Sequence, residues 1–366
     1  LKEFFRETPS NQIHKELIAA FELMQDADSL GSIMKFDLAE STRLAIRQTM
    51  DYWQRQGFVP KTIEDIMPAM DLILTLTDKF SALVMNPPYM GNGNMNDVLT
   101  KYVKDYYDEG KADLFSTFML VAIDRLLDFG KYGMINMHSW MFLTSFAKLR
   151  KSLLESEHID SLLHLGPRTF DELSGEVVQN AAFVISKTDY KSSSDGTNKD
   201  FIYSNSGIYY RLIEGKNCRD KERLFLDAQL NHSTGIYYSK VKQNNFENIP
   251  GLSLGYWVNT NTIEIFKSNP SLHSVSKARL GQNTGDNERF LRSWYEISAD
   301  VIGFNLPDDY NGFGYKWIPY TKGGLLRRWY GPSDTVINWA NDGEEIKEFC
   351  VIRNHGKHWS RPDRKS

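Results

Sequence analysis

This sequence is poor in cysteine and contains no long apolar segment. Its 366 residues include only Cys218 and Cys350, which excludes a disulfide framework and a cysteine-rich zinc site. No uninterrupted apolar run approaches the roughly 20 residues that a membrane-spanning helix needs. The first residues, LKEFFRETPSNQ, are polar and do not resemble a secretory signal. We therefore expect a cytoplasmic protein with no membrane partner and no structural metal.

The chain also lacks an excess of charge of one sign, because 43 Lys and Arg stand against 47 Asp and Glu, a net charge of −4. This balance excludes a uniformly basic chain, but an enzyme that acts on DNA needs basic residues only along its cleft. Hydrophobic residues make up 41% of the chain and aromatic residues 13%, which is too apolar for a disordered protein. The length indicates two domains or one large domain.

The first 79 residues have the periodicity of helices. Apolar residues recur at steps of three and four along 11–30, and similar patterns cover 37–56 and 63–79. Pro68 interrupts the third pattern. We expect a helical block over 1–79 that acts as a packing layer.

Strands and helices alternate after residue 80. A short apolar strand at 81–85 is followed by a helical pattern at 112–129, a strand at 132–137, a helix at 146–157 and strands at 159–165 and 181–186. This alternation predicts an α/β fold with a mostly parallel sheet over 80–190.

The last half of the chain is richer in strand-like and aromatic segments. Short runs at 201–204, 207–213 and 223–227 predict a β-rich connecting segment over 191–250. From residue 251 to 366 we expect a mixed α+β region, with no clear helical period before 341–351. Residues 277–330 contain arginines together with many aromatic residues.

The most informative segment is the junction between the strand at 81–85 and Asn86-Pro87-Pro88-Tyr89. Each proline fixes its own φ angle, lacks an N–H group and keeps the preceding residue extended. We therefore expect a buried parallel strand that stops abruptly and leaves Asn86 at its carboxyl end, where open α/β sheets bind ligands. The alternative interpretation is that Asn-Pro-Pro only forms a turn after a strand.

This junction suits chemistry on an exocyclic amino group of a purine, whose nitrogen is a poor nucleophile. The side-chain oxygen of Asn86 and the carbonyl oxygen of Pro87 can accept its two hydrogens and stabilise the positive charge that grows during methyl transfer. Tyr89 offers a flat ring on which an extruded base can stack.

Residues 86–89 resemble the catalytic motif of the N6-adenine-specific DNA methyltransferases. The segments that follow are similar to the same family in the same order: ADLFSTFMLVAIDRLL at 112–127, YGMINMHSW at 132–140, HIDSLLHLG at 158–166 and QNAAFVIS at 179–186. GQNTGDNERFLRSWYEI at 281–297 and YKWIPYTKGG at 315–324 extend the resemblance to the methyltransferases of the BREX phage-defence systems and to type IIG-like enzymes.

The resemblance implies methyl transfer from S-adenosylmethionine to the N6 amino group of adenine in a specific sequence of double-stranded DNA. It implies a restriction-modification or phage-defence context, with other defence subunits as potential partners. The implied fold is the C-terminal half of a Rossmann-like methyltransferase sheet, followed from residue 251 by the start of a target-recognition domain. Asn86, Asp113 and Phe115 would contact the cofactor, although Asp113 and Phe115 could equally cap and pack the helix.

One part of the family pattern is missing from the sequence. These enzymes bind the cofactor through an early strand and a glycine-rich turn, and no such unit precedes residue 80. GNGNMN at 91–96 follows the catalytic motif, so we interpret it as a flexible loop. We expect the chain to be a fragment that is inactive alone and whose methyl-donor pocket lies mostly upstream of Leu1.

The resemblance also places candidate DNA-binding residues at the start of the recognition region. Their side chains can contact base edges or phosphates: Arg279, Gln282, Asn283, Thr284, Asn287 and Arg289. A polar loop is the alternative for each of them. His138 follows a core strand and could approach the substrate cleft or be structural, and we interpret His355 and His358 as part of a solvated tail rather than a metal site.

Two other functions remain open at this point. The same pair of acceptors would serve methylation of an RNA base or of a protein glutamine. The missing glycine-rich turn also leaves room for a non-catalytic DNA-binding or scaffold subunit of a defence complex.

Overall fold

The computed structural model describes residues 1–170, 178–188, 205–276, 284–307, 314–322 and 333–353. The chain divides into two compact units, Leu1–Ser271 and Leu272–Ser366. The predicted division at residues 79, 190 and 250 stays a prediction, and the helical block and the larger sheet belong to the same unit.

The chain begins with the predicted helical block. Its helices are α1 (Lys2–Phe5), α2 (Asn11–Met24), α3 (Ala27–Leu30), α4 (Glu40–Gln54) and α5 (Lys61–Thr77). The Ser10 hydroxyl caps α2 by accepting a hydrogen bond from the Ile13 N–H at 3.3 Å. The apolar stripes of α2, α4 and α5 meet in a core in which Leu17, Ile46 and Met70 are fully buried. Pro68 lies inside α5 and does not end it.

A six-stranded sheet forms the centre of the first unit. Its strands are β1 (Phe80–Met85), β2 (Leu126–Met137), β3 (Glu157–Gly166), β4 (Asn180–Lys187), β5 (Ser206–Arg211) and β6 (Tyr237–Lys242), in the order β1-β2-β4-β3-β5-β6. β1–β2 and β3–β5 pair in parallel, and the other three pairings are antiparallel. Four strands therefore run in one direction while β4 and β6 run in the other, which confirms the predicted α/β class with a mostly parallel sheet.

Helices α6 (Asp97–Tyr106), α7 (Leu114–Arg125) and α8 (Ala147–Ser156) connect the first strands. Met119, Trp140 and Leu162 are fully buried in the core that α7, α8 and the sheet share. α7 ends four residues before the predicted position at 129. The cause is tertiary, because Leu126 is buried and pairs with Phe80 as the first residue of β2.

One predicted strand is wrong. The run at 223–227 lies inside α9 (Cys218–Asn231) and is helical. Asn217 caps this helix by accepting a hydrogen bond from the Asp220 N–H at 2.9 Å, and Ala228 is buried beneath it. Short apolar runs do not distinguish strand from helix, and here the cap decides. A further helix that the sequence did not predict is α10 (Thr260–Ser268).

The second unit contains a small antiparallel sheet. Its elements are α11 (Leu272–Val275), α12 (Asn287–Phe290), β7 (Leu291–Ser293), β8 (Trp317–Tyr320), β9 (Thr335–Asn338) and α13 (Ala340–Arg353). The strands lie in the order β7-β9-β8. Phe290, Ile337 and Ile346 form its core with Cys350. The predicted strand at 201–204 and the residues His355 and His358 lie outside the described residues. Within the described ranges, no helix is both long and apolar enough to cross a membrane.

Candidate active site

The Asn86–Tyr89 corner lies at the carboxyl edge of the six-stranded sheet. β1 runs parallel to β2, with Met85 opposite Met134, so the chain leaves this edge at Asn86. The prediction that this strand is buried is wrong, because β1 is the outermost strand of the sheet and Val84 is 89% exposed. Pro87 is buried and fixes the corner, whereas Asn86 is exposed and Tyr89 is 36% exposed. The amide of Asn86 is therefore accessible from solvent and is not turned into the core.

Asp113 fastens the loop after this corner to the start of α7. Its Oδ1 accepts hydrogen bonds from the N–H groups of Met90 at 2.9 Å and of Phe115 at 3.2 Å. The Leu114 N–H donates to the Met90 carbonyl at 2.9 Å. Burial raises the pKa of Asp113, and the backbone hydrogen bonds oppose that rise. Of the two interpretations left open by the sequence, capping of α7 is visible here, and cofactor contact stays a prediction.

Tyr89 is held from two sides. Its ring meets the buried ring of Phe115 edge to face, with centroids 6.0 Å apart and an interplanar angle of 81°. Its hydroxyl oxygen accepts a hydrogen bond from Asn180 Nδ2 at 3.1 Å. Burial is the main cause of the raised pKa of Tyr89, so the phenol is protonated at neutral pH. Phe115, a predicted cofactor contact, is 1% exposed and supports the Tyr89 ring.

Asn180 is the buried residue on which Tyr89 depends. It is the first residue of β4, and because β4 runs against β1 and β2, its start lies at the carboxyl edge. Asn180 Nδ2 also donates to the Asn136 carbonyl at 3.3 Å, while Asn136 Oδ1 accepts from Trp140 Nε1 at 3.1 Å. The amide must keep this orientation, because a flipped amide would point its oxygen at the Asn136 carbonyl.

This arrangement leaves two polar groups of the site without partners among the described residues. Asn180 Oδ1 is buried and makes no hydrogen bond. The Tyr89 hydroxyl accepts from Asn180, so its own hydrogen points elsewhere and remains available as a donor. An unpaired buried acceptor next to an available donor is typical of a site that is completed by a ligand.

A second series of hydrogen-bonded side chains lies at the carboxyl edge of the sheet, in addition to that formed by Asn136, Asn180 and Tyr89. His138 follows β2, and its N–H donates to the Gln179 carbonyl at 2.8 Å. His138 Nδ1 lies 2.8 Å from His164 Nε2, and His164 Nδ1 lies 3.0 Å from the Tyr256 hydroxyl. Burial lowers the pKa of His138 and, together with the nearby positive charges, lowers that of His164 to about 3. Both imidazoles are therefore neutral at pH 7.

The predicted DNA-binding residues lie in the second unit, as far as they are described. Thr284 is buried and donates its hydroxyl to Asn287 Oδ1 at 2.8 Å. Arg289 pairs with Glu345 at 2.8 Å and stacks near Phe290. All of these contacts are made within the second unit. A DNA-binding role for these residues stays a prediction. Three further predicted residues, Arg279, Gln282 and Asn283, lie outside the described residues.

Sequence reasoning missed the residues that hold the site. His164 and Tyr256 gave no signal, because nothing near them in the sequence fixes the fold of the segment around Tyr256. The reversed direction of β4, which brings Asn180 to this edge, was not predictable either. Asn180 directly before an apolar strand is the one clue that the sequence offered. Among the described residues, no three His, Cys, Asp or Glu side chains come together as a metal site.

This chain is similar to a family of restriction-modification methylases and to proteins named as adenine-specific methyltransferases. Residues 12–170 match the family model described as the Eco57I restriction-modification methylase. The chain is 39% identical over 286 residues to the adenine-specific methyltransferase PglX of Lacticaseibacillus casei (strain Zhang), covering 76% of this chain and 23% of that protein. It is 32% identical over 347 residues to the adenine-specific methyltransferase BrxX of Escherichia coli O9:H4 (strain HS), covering 93% and 27%.

The chain thus spans about a quarter of the length of these curated relatives. Among solved structures, it is 19% identical to a nuclease-deletion mutant of the Type ISP restriction-modification enzyme LlaGI in complex with a DNA substrate mimic. The similarity covers 59% of this chain and 22% of that one, with a TM-score of 0.33 that is too low to bear on the fold or the site. The family and relatives confirm the resemblance that the sequence predicted.

Proposed function

Because residues 12–170 match the family model of the Eco57I restriction-modification methylase, we propose that this chain contributes the acceptor-binding site of an N6-adenine DNA methyltransferase. The observation that carries the proposal is the exposed Asn86 at the end of β1, next to a rigid diproline corner and a held aromatic ring. The relatives PglX and BrxX are named as adenine-specific methyltransferases, which supports the choice of substrate.

In this proposal, Asn86 and Pro87 act on the amino group of the target adenine. The Asn86 side-chain oxygen and the Pro87 carbonyl oxygen each accept one N6 hydrogen, which weakens the delocalisation of the nitrogen lone pair into the ring. As the nitrogen forms its new bond to the methyl carbon and the carbon–sulfur bond of the donor breaks, positive charge grows on the nitrogen and both oxygens stabilise that charge. The nitrogen then loses its surplus proton to solvent. Acceptors that are already in place cost no reorganisation, and one such group typically contributes a few kcal/mol.

Tyr89 binds the base itself. An adenine in a duplex must leave the base stack before it can reach Asn86, and the Tyr89 ring then replaces part of the lost stacking. The edge contact with Phe115 and the hydrogen bond from Asn180 fix the plane of this ring in advance. A preset ring binds a planar base with less loss of side-chain freedom than a mobile one.

S-adenosylmethionine is the methyl donor that this chemistry requires, and when bound it supplies an electrophilic methyl group. The residues present fit such a group only in part. Asn86 is exposed and available, whereas Asp113 Oδ1 is engaged by two backbone N–H groups and Phe115 is buried. Of the three predicted cofactor contacts, we keep Asn86 and treat the other two as supports of the loop and of the Tyr89 ring.

We further propose double-stranded DNA as the partner, bound in part by the second unit, in a restriction-modification or phage-defence setting in the cytoplasm. The residues predicted for this role are Arg279, Gln282, Asn283, Thr284, Asn287 and Arg289. The exposed Asn287 and Arg289 are the best described candidates, since Thr284 is buried.

The test is transfer of a labelled methyl group by the full-length protein to duplex DNA, RNA or protein. We expect labelled N6-methyladenine from duplex DNA and no product from the other two substrates. Label on RNA or on glutamine would replace the proposed substrate. DNA binding without any transfer would favour a scaffold subunit and contradict the proposal.

A further inference from the structure

A chain of hydrogen bonds runs from the Tyr256 hydroxyl in the core through His164 to His138 at the site. Its outer end is the ring nitrogen Nε2 of His138. Tyr256 and His164 are buried, at 3% and 4% exposure, whereas His138 is only partly buried. The Nδ1 of His138 faces His164, and its Nε2 makes no hydrogen bond to any described residue and is not sealed in the core. Nothing in the proposed reaction so far uses this nitrogen.

The direction of the hydrogen bonds follows from the buried end. The Tyr256 hydroxyl has one described partner, His164 Nδ1 at 3.0 Å. If Tyr256 accepted from His164, its own buried hydrogen would have no acceptor, which is costly. The hydroxyl therefore donates to His164 Nδ1, and the neutral His164 carries its hydrogen on Nε2.

The same reasoning extends to the outer histidine. His164 Nε2–H donates to His138 Nδ1 at 2.8 Å, so His138 must carry its own hydrogen on Nε2. Burial lowers the pKa of both imidazoles, and Arg211 and Lys221 lower that of His164 further, so neither ring gains a second proton at neutral pH. His138 is thus a neutral donor with a fixed tautomer.

The His138 ring is also fixed in space. It meets Phe142 edge to face at 5.6 Å, and the ring of Trp257 lies 6.1 Å from that of His164 at an angle of 30°. The backbone N–H of His138 donates to the carbonyl oxygen of Gln179. The next residue, Asn180, donates its side-chain amide hydrogen to the Tyr89 hydroxyl. The donor and the stacking ring are therefore held by consecutive residues of one chain segment.

We infer that His138 Nε2–H is a specificity-determining donor that binds a ring nitrogen of the extruded adenine. The inference rests on the proposed function, since it concerns the same base. A purine offers unprotonated ring nitrogens at N1, N3 and N7, each an acceptor for a neutral donor. A neutral donor at the same edge of the sheet as Tyr89 suits such an acceptor, and a charged phosphate would be better served by a cation.

The test combines variants of the full-length protein with altered target bases. Duplexes carry adenine, 1-deazaadenine, 3-deazaadenine or 7-deazaadenine at the methylated position, and kcat/KM is measured for native protein and for His138→Ala. On adenine we expect the variant to lose roughly 10-fold, the usual effect of an unpaired polar partner. One deaza base lacks the ring nitrogen that His138 binds, and on that base the kcat/KM values of the native protein and the variant should differ by less than about 2-fold.

Tyr256 is a positioning residue in this scheme and has a matched control. Tyr256→Phe removes the hydroxyl that sets the tautomer, so it should reduce the discrimination against that same deaza base. Tyr238→Phe is the control, because the Tyr238 ring packs 5.4 Å from Tyr256 but its hydroxyl donates to the Gly235 carbonyl. His138→Gln, which keeps a donor, should restore part of the lost discrimination.

The outcomes separate this inference from the proposed function. If the native protein methylates adenine but His138→Ala loses the same factor on all four bases, the donor contact is wrong and the proposed function stands. If the native protein produces no N6-methyladenine, both are overturned.

Discussion

The two edges of the six-stranded sheet treat polar side chains in opposite ways. At the amino ends of β2 and β3, polar groups bind mainly to each other. Asp160 accepts hydrogen bonds from Lys131 at 2.6 Å, from Ser186 at 2.6 Å and from His158 at 2.8 Å. Glu157 accepts from the Thr188 N–H at 3.1 Å. Two buried polar atoms in this region, His158 Nε2 and the Tyr132 hydroxyl oxygen, make no hydrogen bond to a described residue.

At the carboxyl edge, the hydrogen-bond chains end in groups without partners among the described residues. The chain through Asn136 and Asn180 ends on the Tyr89 hydroxyl, and the chain through His164 ends on His138 Nε2. Asn86 is exposed beside them. Polar groups that end in mutual pairs stabilise the fold, whereas groups that are held in place but not satisfied are arranged for a ligand.

This comparison predicts that changes at the amino edge alter stability, and that changes at the carboxyl edge alter activity. The predictions that follow test this separation in order of expected size.

The largest expected effect is at Glu157. Burial raises the pKa of Glu157 to about 8, from 4.5 for an unperturbed group. The side chain ionises in the unfolded chain above about pH 4.5 but not in the folded chain until about pH 8, so this residue lowers stability as the pH rises between those values. Glu157→Gln should increase the free energy of unfolding by about 3 kcal/mol at pH 9 and by less than about 1 kcal/mol at pH 5.

Urea denaturation at both pH values measures this difference. Glu155→Gln is the matched control, since that side chain is 46% exposed and about 4 Å from Lys151. If the free energies of unfolding of Glu157→Gln and the native protein differ by the same amount at pH 5 and at pH 9, Glu157 is not buried as a neutral acid.

The next effect is expected at Tyr89 and concerns activity. Tyr89→Ala removes the ring on which the base stacks and should lower kcat/KM for adenine methylation by an amount that corresponds to roughly 1–3 kcal/mol. Tyr89→Phe keeps the ring and loses only the hydroxyl, so it should retain most of the activity. Equal losses in both variants would mean that the hydroxyl matters and stacking does not. Neither variant should unfold the protein, because the side chain is 36% exposed.

A smaller effect is expected at Asp160. Burial alone would raise the pKa of Asp160, but hydrogen bonds from His158, Lys131 and Ser186 outweigh it and lower the pKa to about 2. Asp160 therefore stabilises the fold above about pH 4, and this contribution is lost as the pH falls towards 2. Asp160→Asn should cost about 1–2 kcal/mol at pH 7. Methylation by the folded variant should match the native rate, and a selective loss of activity would break the proposed division between the two edges.

The sequence predicted α2, α4, α5, β1, α7, β2, α8, β3, β4 and β5 in their order along the chain, but not α6, β6 or α10, because the signals of the predicted elements are local. The apolar periods of α2, α4 and α5 and the abrupt stop after β1 depend only on neighbouring residues. The Asn86–Tyr89 corner was likewise predictable, since two prolines restrict the backbone wherever they occur.

The rest depends on contacts between distant residues. The end of α7 moved because Leu126 pairs with Phe80, 46 positions earlier. The run at 223–227 became helical through a cap at Asn217 and burial of Ala228. The bond between Asn180 and Tyr89 joins residues 91 positions apart, and that between His164 and Tyr256 joins residues 92 apart. No local pattern specifies such pairs, so the residues that hold the site emerge only from the structure.

The most direct measurement is the methylation rate of the full-length protein with Asn86→Ala. The side chain is exposed, so thermal unfolding of the variant should match that of the native protein. Formation of N6-methyladenine should fall by roughly 100-fold or more, because the growing charge on the adenine nitrogen loses one of its two acceptors. A variant that unfolds as the native protein does and still methylates adenine at the native rate would contradict the account.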